Sequence, residues 1–410
     1  FVTAVRRATT LDAAIVSVSD ADGRVGWGEA ALSWRVTGES ADGARAVVEG
    51  PIAQALVGLP ATEPGAWGPA LAGAVAHNTA AKAAVDAALW DLAAQTAGVP
   101  VHRLLDPGSA RETTTDMTLS AVGEATVLTD AREHVAAGFH VLKVKLGTDA
   151  AADDRVLRAL RRGPAADVRL RVDANQGWSA DEAIRLIRGW EDDGLGVELV
   201  EQPTPAQDVT ALARVTRAVG TPILADESVW SLRDLRELVR AGAADLIIVK
   251  TQPLGGVRRA LDLVEQAGLP AAVSSAIDTS IGLAPGAHTA AALPGLDHDC
   301  GVGTAALVTA EVTAPPLLPH VGDIAVDGQQ RVPPPPGPPG HPAGADPHAG
   351  QAGPVAGGLQ ATYPGHRLAV PVAPAARPPP HPRGHSRTPR HVHRHHPHSL
   401  LCEVAPCDSL

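Results

Sequence analysis

Between residues 141 and 250 the sequence repeats one design five times: a short apolar run closed by a charged residue. The runs are Val141-Leu142-Lys143-Val144-Lys145, Arg169-Leu170-Arg171-Val172-Asp173, Val197-Glu198-Leu199-Val200-Glu201, Pro222-Ile223-Leu224-Ala225-Asp226 and Leu246-Ile247-Ile248-Val249-Lys250. Counted from Lys145, the closing charges recur at steps of 28, 28, 25 and 24 residues. That length accommodates a strand, a loop, a helix and a return loop, and regular units of this kind build a parallel sheet or barrel. The spacers carry helical stripes. Ala183, Ile184, Leu186, Ile187 and Trp190 form one, with Ser179 and Glu182 in capping-box positions. Leu235, Leu238 and Val239 form another, behind Ser231 and Asp234. In a closed barrel the strand C-termini share one rim, where active sites sit. Five strands then deliver Lys145, Asp173, Glu201, Asp226 and Lys250 to one mouth.

A single charge ending an apolar strand is an ordinary solvated boundary. Five in register are not, because the chain has only four lysines, Lys82, Lys143, Lys145 and Lys250, and three fall on these runs. The three carboxylates offer hard oxygen ligands from adjacent strands, with no Cys or His among them. Such a set suits Mg²⁺, with Mn²⁺ as a substitute, rather than zinc. Next to a divalent cation and a second ammonium (Lys143), a lysine ammonium is disfavoured, its pKa falls, and it can serve as a general base. Two such lysines flanking a carboxylate-bound cation suggest removal of a proton next to a substrate carboxylate, through an enolate. The competing reading is a purely structural set of ion pairs at the barrel mouth, a costly way to gain stability.

These residues resemble the enolase superfamily, muconate-lactonizing subgroup. The resemblance rests on Lys143-Val144-Lys145, Asp173-Ala174-Asn175, Glu201-Gln202-Pro203, Asp226-Glu227-Ser228 and Lys250, matched in order and spacing, and on residues 81–105. It departs at Asp106, where a Gly is usual. It covers about residues 1 to 320 and implies a (β/α)7β modified TIM barrel under an N-terminal α+β capping domain. It also implies Asp173, Glu201 and Asp226 as Mg²⁺ ligands, with Asn175 and Glu227 behind them, and Lys145 and Lys250 as acid/base pair. Residues 1–6, Val36-Thr37-Gly38-Glu39-Ser40, Thr115-Asp116-Met117-Thr118 and Asp173–Trp178 look like dipeptide epimerases of the L-Ala-D/L-Glu type. That resemblance implies substrate contacts from Arg6, Lys143 and Asp278, and an ammonium site at Asp297-His298-Asp299. In contrast, residues 252–257, 274–279 and 300–304 look like o-succinylbenzoate synthases. A syn-dehydration, or a muconate-type cycloisomerisation, is therefore the alternative to epimerisation of a dipeptide. An inactive, truncated product is the non-enzyme alternative.

The boundaries expected are residues 1–112 for the cap, 113–320 for the barrel and 321–410 for a tail. Strands are expected at 13–18 and 25–28 around an Asp22-Gly23 turn, helices at 43–57 and 78–97, a first barrel strand over 113–120, and an eighth within 296–303. The chain starts at Phe1 without a Met, and the first strand of the cap is expected to be missing. The last 80 residues hold 19 of the 36 prolines and 10 of the 17 histidines, without strand or helix periodicity. They are expected to be disordered, as in a frameshifted reading of a GC-rich gene, with a histidine cluster at 391–398.

The formal charge of −11 argues against nucleic acid as a partner. No apolar run is long enough for a membrane span. Only Cys300 of the three cysteines lies in the expected folded part, which fits a reducing, cytoplasmic compartment. The partner expected is a small carboxylate substrate, a dipeptide in the leading reading, and an assembly of identical chains is expected.

Overall fold

The computed structural model describes residues 1–293, 298–309 and 311–326, and the backbone at 360–362 and 367–371. β1 (Thr10–Ser19) and β2 (Val25–Leu32) form an antiparallel hairpin in which Ser19 faces Val25. Its turn needs Gly23 in the left-handed region (φ 81°). The helix Thr79–Ala97 lies flat on β2. A Cβ on Gly26 would stand 2.0 Å from the Ala88 carbonyl oxygen, and one on Gly28 1.9 Å from that of Ala84. Only glycine permits this approach. The core beneath includes Val16, Ile52, Leu56, Leu89 and an edge-to-face pair, Trp67 and Trp90, with centroids 5.4 Å apart. The helix expected at 43–57 is Ala41–Val47 and Ala53–Leu56 joined by a wider turn at Val48–Ile52, where Pro51 has no N–H to give. A further helix, Pro64–Gly73, was not foreseen.

The barrel consists of parallel strands β3 (Met117–Leu119), β4 (Val141–Lys145), β5 (Arg169–Asp173), β6 (Val197–Glu201), β7 (Ile223–Ala225), β8 (Leu246–Val249) and β9 (Ala271–Val273), side by side in that order. The strand expected over 113–120 is two elements. Glu112–Thr114 pairs antiparallel with Asp323–Ala325 instead, and the chain bends at Thr115-Asp116 to enter β3. The eighth position is held by Cys300 and Gly301, bridged in parallel to Thr115 and Ser274, which closes the ring. Helices alternate with the strands. Ser179 and Glu182 form the anticipated capping box, and the Ser231 hydroxyl accepts from the Asp234 N–H.

Strand pairing sets Lys145 beside Asp173 and Asp173 beside Glu201 as Cα partners. Across the barrel interior Leu199, Leu224, Leu246, Ile248 and Ala272 form a separate apolar cluster. Buried Asp116, Lys143, Arg171 and Asp299 supply a charged counterpart. Not all of 321–410 lacks strands. Gln360–Thr362 and Arg367–Pro371 pair antiparallel along β1, where an open edge otherwise presents unpaired N–H and C=O groups. The histidine cluster at 391–398 and Asp297 lie outside the described residues.

Candidate active site

The mouth of the barrel opens on a cleft of about 170 Å³ whose lining includes Lys143, Lys145, Lys250, Glu201, Asp226 and Glu227. Arg6 and Asn175 also line it, and Ser33–Thr37, without the exposed Trp34, contribute to its rim. Asp173, Glu201 and Asp226 are buried, at 0%, 2% and 3% exposure. Lys145 is ion-paired with Asp173, Lys250 with Asp226, and Lys143 Nζ stands 3.4 Å from Glu201 Oε2. Glu201 Oε1 is buried without a partner. The two outer lysines thus flank three carboxylates on the intervening strands.

Burial disfavours the charged form of Asp173, neighbouring Glu201 adds repulsion, and its carboxyl rises above the usual range. Glu227 is pushed up to about 8 by burial and then by Asp226 and Asp173. The pKa of Lys250 is set by its carboxylate neighbours. Burial alone would lower it, but Asp226, Glu227 and Glu201 outweigh burial and raise it. Lys143 shifts upward for the same reason, chiefly through Glu201.

The donor set fits a hard divalent cation. Its ligating atoms are carboxylate oxygens, one is unpartnered, and the carboxylates repel one another. Among the described residues no three Asp, Glu, His or Cys groups are already drawn into a ligand cluster, because Lys145 and Lys250 hold Asp173 and Asp226.

The loops after the strands are built for rigidity. Asn175 takes φ 42°, donates its N–H to Asp173 Oδ1 at 2.8 Å, and reaches Glu227 Oε1 at 3.4 Å. Gln202 was quoted in the motif but given no role. It is fully buried at φ 37°, accepts from the Asp226 and Ser228 N–H groups at 3.0 and 3.2 Å, and donates to Ser228 Oγ and the Thr204 carbonyl. It therefore aims Asp226. A polar residue directly after an apolar strand was its only signal. Trp230, Gln252, Ser274, Ser275 and Thr304 also reach the cleft; all but Trp230 fall in the stretches that look like o-succinylbenzoate synthases, where none had a role of its own.

One expected substrate contact is displaced. Asp299 lies at the opposite end of the barrel, at the floor. Its carboxylate pairs with Arg169 at 2.5 Å, its carbonyl accepts from Arg171 Nη1 at 2.5 Å, and Arg169 begins the strand that Asp173 ends. Cys300-Gly301 forms the eighth strand position, so the residue before it faces the floor and not the mouth. Asp278 is 1% exposed and sits within electrostatic reach of Lys250 and Arg6; burial and Glu29 push its carboxyl up to about 8.

A closed parallel barrel with charged residues at its C-terminal mouth is an enzyme architecture. Residues 126–341 match the enolase C-terminal domain-like family, and residues 1–106 match the mandelate racemase/muconate lactonizing enzyme N-terminal domain. The chain belongs to this mandelate racemase/muconate lactonizing enzyme family. It is 38% identical over 306 residues to the L-Ala-D/L-Glu epimerase of Bacillus subtilis, covering 71% of this chain and 80% of that protein. It is 42% identical over 224 residues to the o-succinylbenzoate synthase of Thermobifida fusca, covering 54% and 68%. The crystal structure of the dipeptide epimerase of Enterococcus faecalis, complexed with Mg and the dipeptide L-Leu-L-Tyr, superimposes with a TM-score of 0.75 at 32% identity, covering 80% of this chain and 92% of that one.

Proposed function

We propose that the chain is a Mg²⁺-dependent epimerase of a dipeptide, of the L-Ala-D/L-Glu type. The observation that carries this reading is that Lys145 and Lys250 line one cleft with Glu201 and Asp226, on either side of these carboxylates and of Asp173, which pairs with Lys145 beneath. Asp173, Glu201 and Asp226 would hold the cation. When bound, it would supply positive charge that favours loss of the proton next to a substrate carboxylate. Lys145 removes that proton from one face and Lys250 returns one to the other. Lys143 holds Glu201 in place, and Arg6, hydrogen-bonded to Ser33 Oγ at 3.4 Å, meets the substrate from the cap side. Residues 1–112 act as the cap and 113–320 as the catalytic barrel. The partners are the small-molecule carboxylate and further copies of the chain, in a cytoplasmic setting. Among the described residues no helix is long and apolar enough to cross a membrane.

One observation favours a second reading. Asp299 faces the floor, while Ser274, Ser275, Gly301 and Thr304 line the cleft where an ammonium-binding carboxylate was expected. That wall supports a syn-dehydration giving o-succinylbenzoate. Both readings are tested together: L-Ala-L-Glu is incubated in D₂O with Mg²⁺ and followed by proton NMR, beside a dehydration assay. Deuterium uptake with epimer formation supports the first reading. Dehydration without uptake overturns it in favour of the second.

A further inference from the structure

The carboxylate of Glu29, on β2, is 1% exposed and lies outside the chemistry proposed above. It reaches from the cap into the barrel. Its oxygens accept from the Thr279 N–H at 3.2 Å, the Gly282 N–H at 3.0 Å and the Thr279 hydroxyl. Thr279 caps the helix Ser280–Ala292 and stands two residues after the cleft wall Ser274–Ile277. The contact is close enough that a Cβ on Gly282 would stand 2.9 Å from Glu29 Cδ. The backbone here is also clamped. Gln252 donates from Nε2 to the Glu29 carbonyl at 2.7 Å and accepts from the Ala31 N–H at 3.3 Å. Gln252 stands two residues after Lys250. Beyond Ala31 the chain runs into the Leu32–Thr37 rim. Three walls of the cleft therefore meet at one strand position: the rim of the cap, the loop carrying Lys250 and the wall before Thr279.

We propose that Glu29 is a positioning residue whose carboxylate locks the cap rim to the Ser274–Ile277 wall, at the strand position where Gln252 clamps the backbone to the Lys250 loop, so that substrate held under the cap sits at a set height above Lys250. The hydrogen bonds carry the proposal. The epimerase reading enters only through its kinetic readout.

Glu311 provides an internal control. It accepts the Ser280 N–H at 2.9 Å at the same helix start, but comes from the segment after the eighth strand position. The test compares Glu29→Gln with Glu311→Gln in the full chain by hydrogen–deuterium exchange and steady-state kinetics. Glu29→Gln is expected to speed exchange in both 31–37 and 274–282, and Glu311→Gln only in 274–282. A displacement of the order of an ångström costs roughly a hundredfold in rate, so kcat/KM on the dipeptide is expected to fall at least about tenfold for Glu29→Gln and far less for Glu311→Gln. Unchanged exchange at 31–37 in Glu29→Gln, or equal kinetic losses in the two variants, would overturn the proposal. Where Glu29→Gln does not fold, Thr279→Val removes one donor and keeps the charge. The same two-segment pattern is then expected, and exchange confined to 274–282 refutes it. If the parent epimerises no dipeptide, the proposed function fails, while the exchange pattern still decides the role of Glu29.

Discussion

Replacing Lys250 by Met removes the ammonium that pairs with Asp226 while keeping most of the side-chain volume. Lys250 is 19% exposed and Asp226 3%, with Glu227 adjacent and pushed up to about 8. Breaking one partner of a buried pair costs about 3–5 kcal/mol, because the other charge is left uncompensated. The partial exposure of Lys250 places the expected loss near the low end, about 3 kcal/mol, in urea melts without divalent cation. Adding Mg²⁺ should recover much of it, since the cation supplies charge to the same carboxylates. Catalysis should fail selectively. In D₂O the variant should exchange the α-proton of only one substrate epimer, through Lys145, and interconvert neither. Lys145→Met should show the mirror preference. The assay is proton NMR of each pure epimer with each variant. If both variants exchange both epimers equally, the two-base assignment is wrong; if Mg²⁺ restores no stability to Lys250→Met, the cation does not sit on Asp226.

Asp173→Asn or Asp226→Asn should abolish turnover, and EDTA should do so reversibly, with the folding midpoint of the parent rising on Mg²⁺ addition by the linkage expected of a native-state ligand; an unmoved midpoint argues against the site. Asp299→Asn should lower stability by about 1–3 kcal/mol, because Arg169 loses its 2.5 Å pair and keeps only Glu198 at 3.3 Å, yet leave KM for any accepted substrate unchanged. A large rise in KM would return Asp299 to the cleft. Asp86, buried in the helix Thr79–Ala97, accepts the Val257 N–H at 2.6 Å, and burial pushes its carboxyl up to about 7 from 3.8. An acid raised on folding contributes most stability below the lower value and loses it as pH climbs toward the higher, at about 1.4 kcal/mol per pH unit. Asp86→Asn should therefore flatten the decline between pH 4 and pH 7 in urea melts, and an unchanged slope would show that the carboxyl titrates normally. Gly28→Ala should destabilise by about 1–3 kcal/mol or more, since its Cβ would meet the Ala84 carbonyl at 1.9 Å; a neutral effect in thermal melts would show that β2 and the helix separate freely.

The repeat of apolar runs determined the parallel barrel and the rim of charges by itself, because side-chain periodicity and the spacing of βα units are local properties of the chain. Ser179 with Glu182 was legible for the same reason: a capping box spans four residues. The three carboxylates and two outer lysines were legible because each closes its own run, and parallel pairing in register then sets Lys145, Asp173 and Glu201 side by side. What faces what across longer separations was decided only by tertiary structure. Asp299 read as part of an ammonium site from its motif, but the register of Cys300 and Gly301 between Thr115 and Ser274 turns it to the floor and onto Arg169. A shift of one residue along a strand turns its side chains to the other face, and local pattern does not specify that shift. Glu29 gave no sequence signal beyond a charge after two glycines. Its role depends on Thr279 and Gly282, some 250 residues away in sequence, which only the packing of the cap on the barrel brings within hydrogen-bond reach.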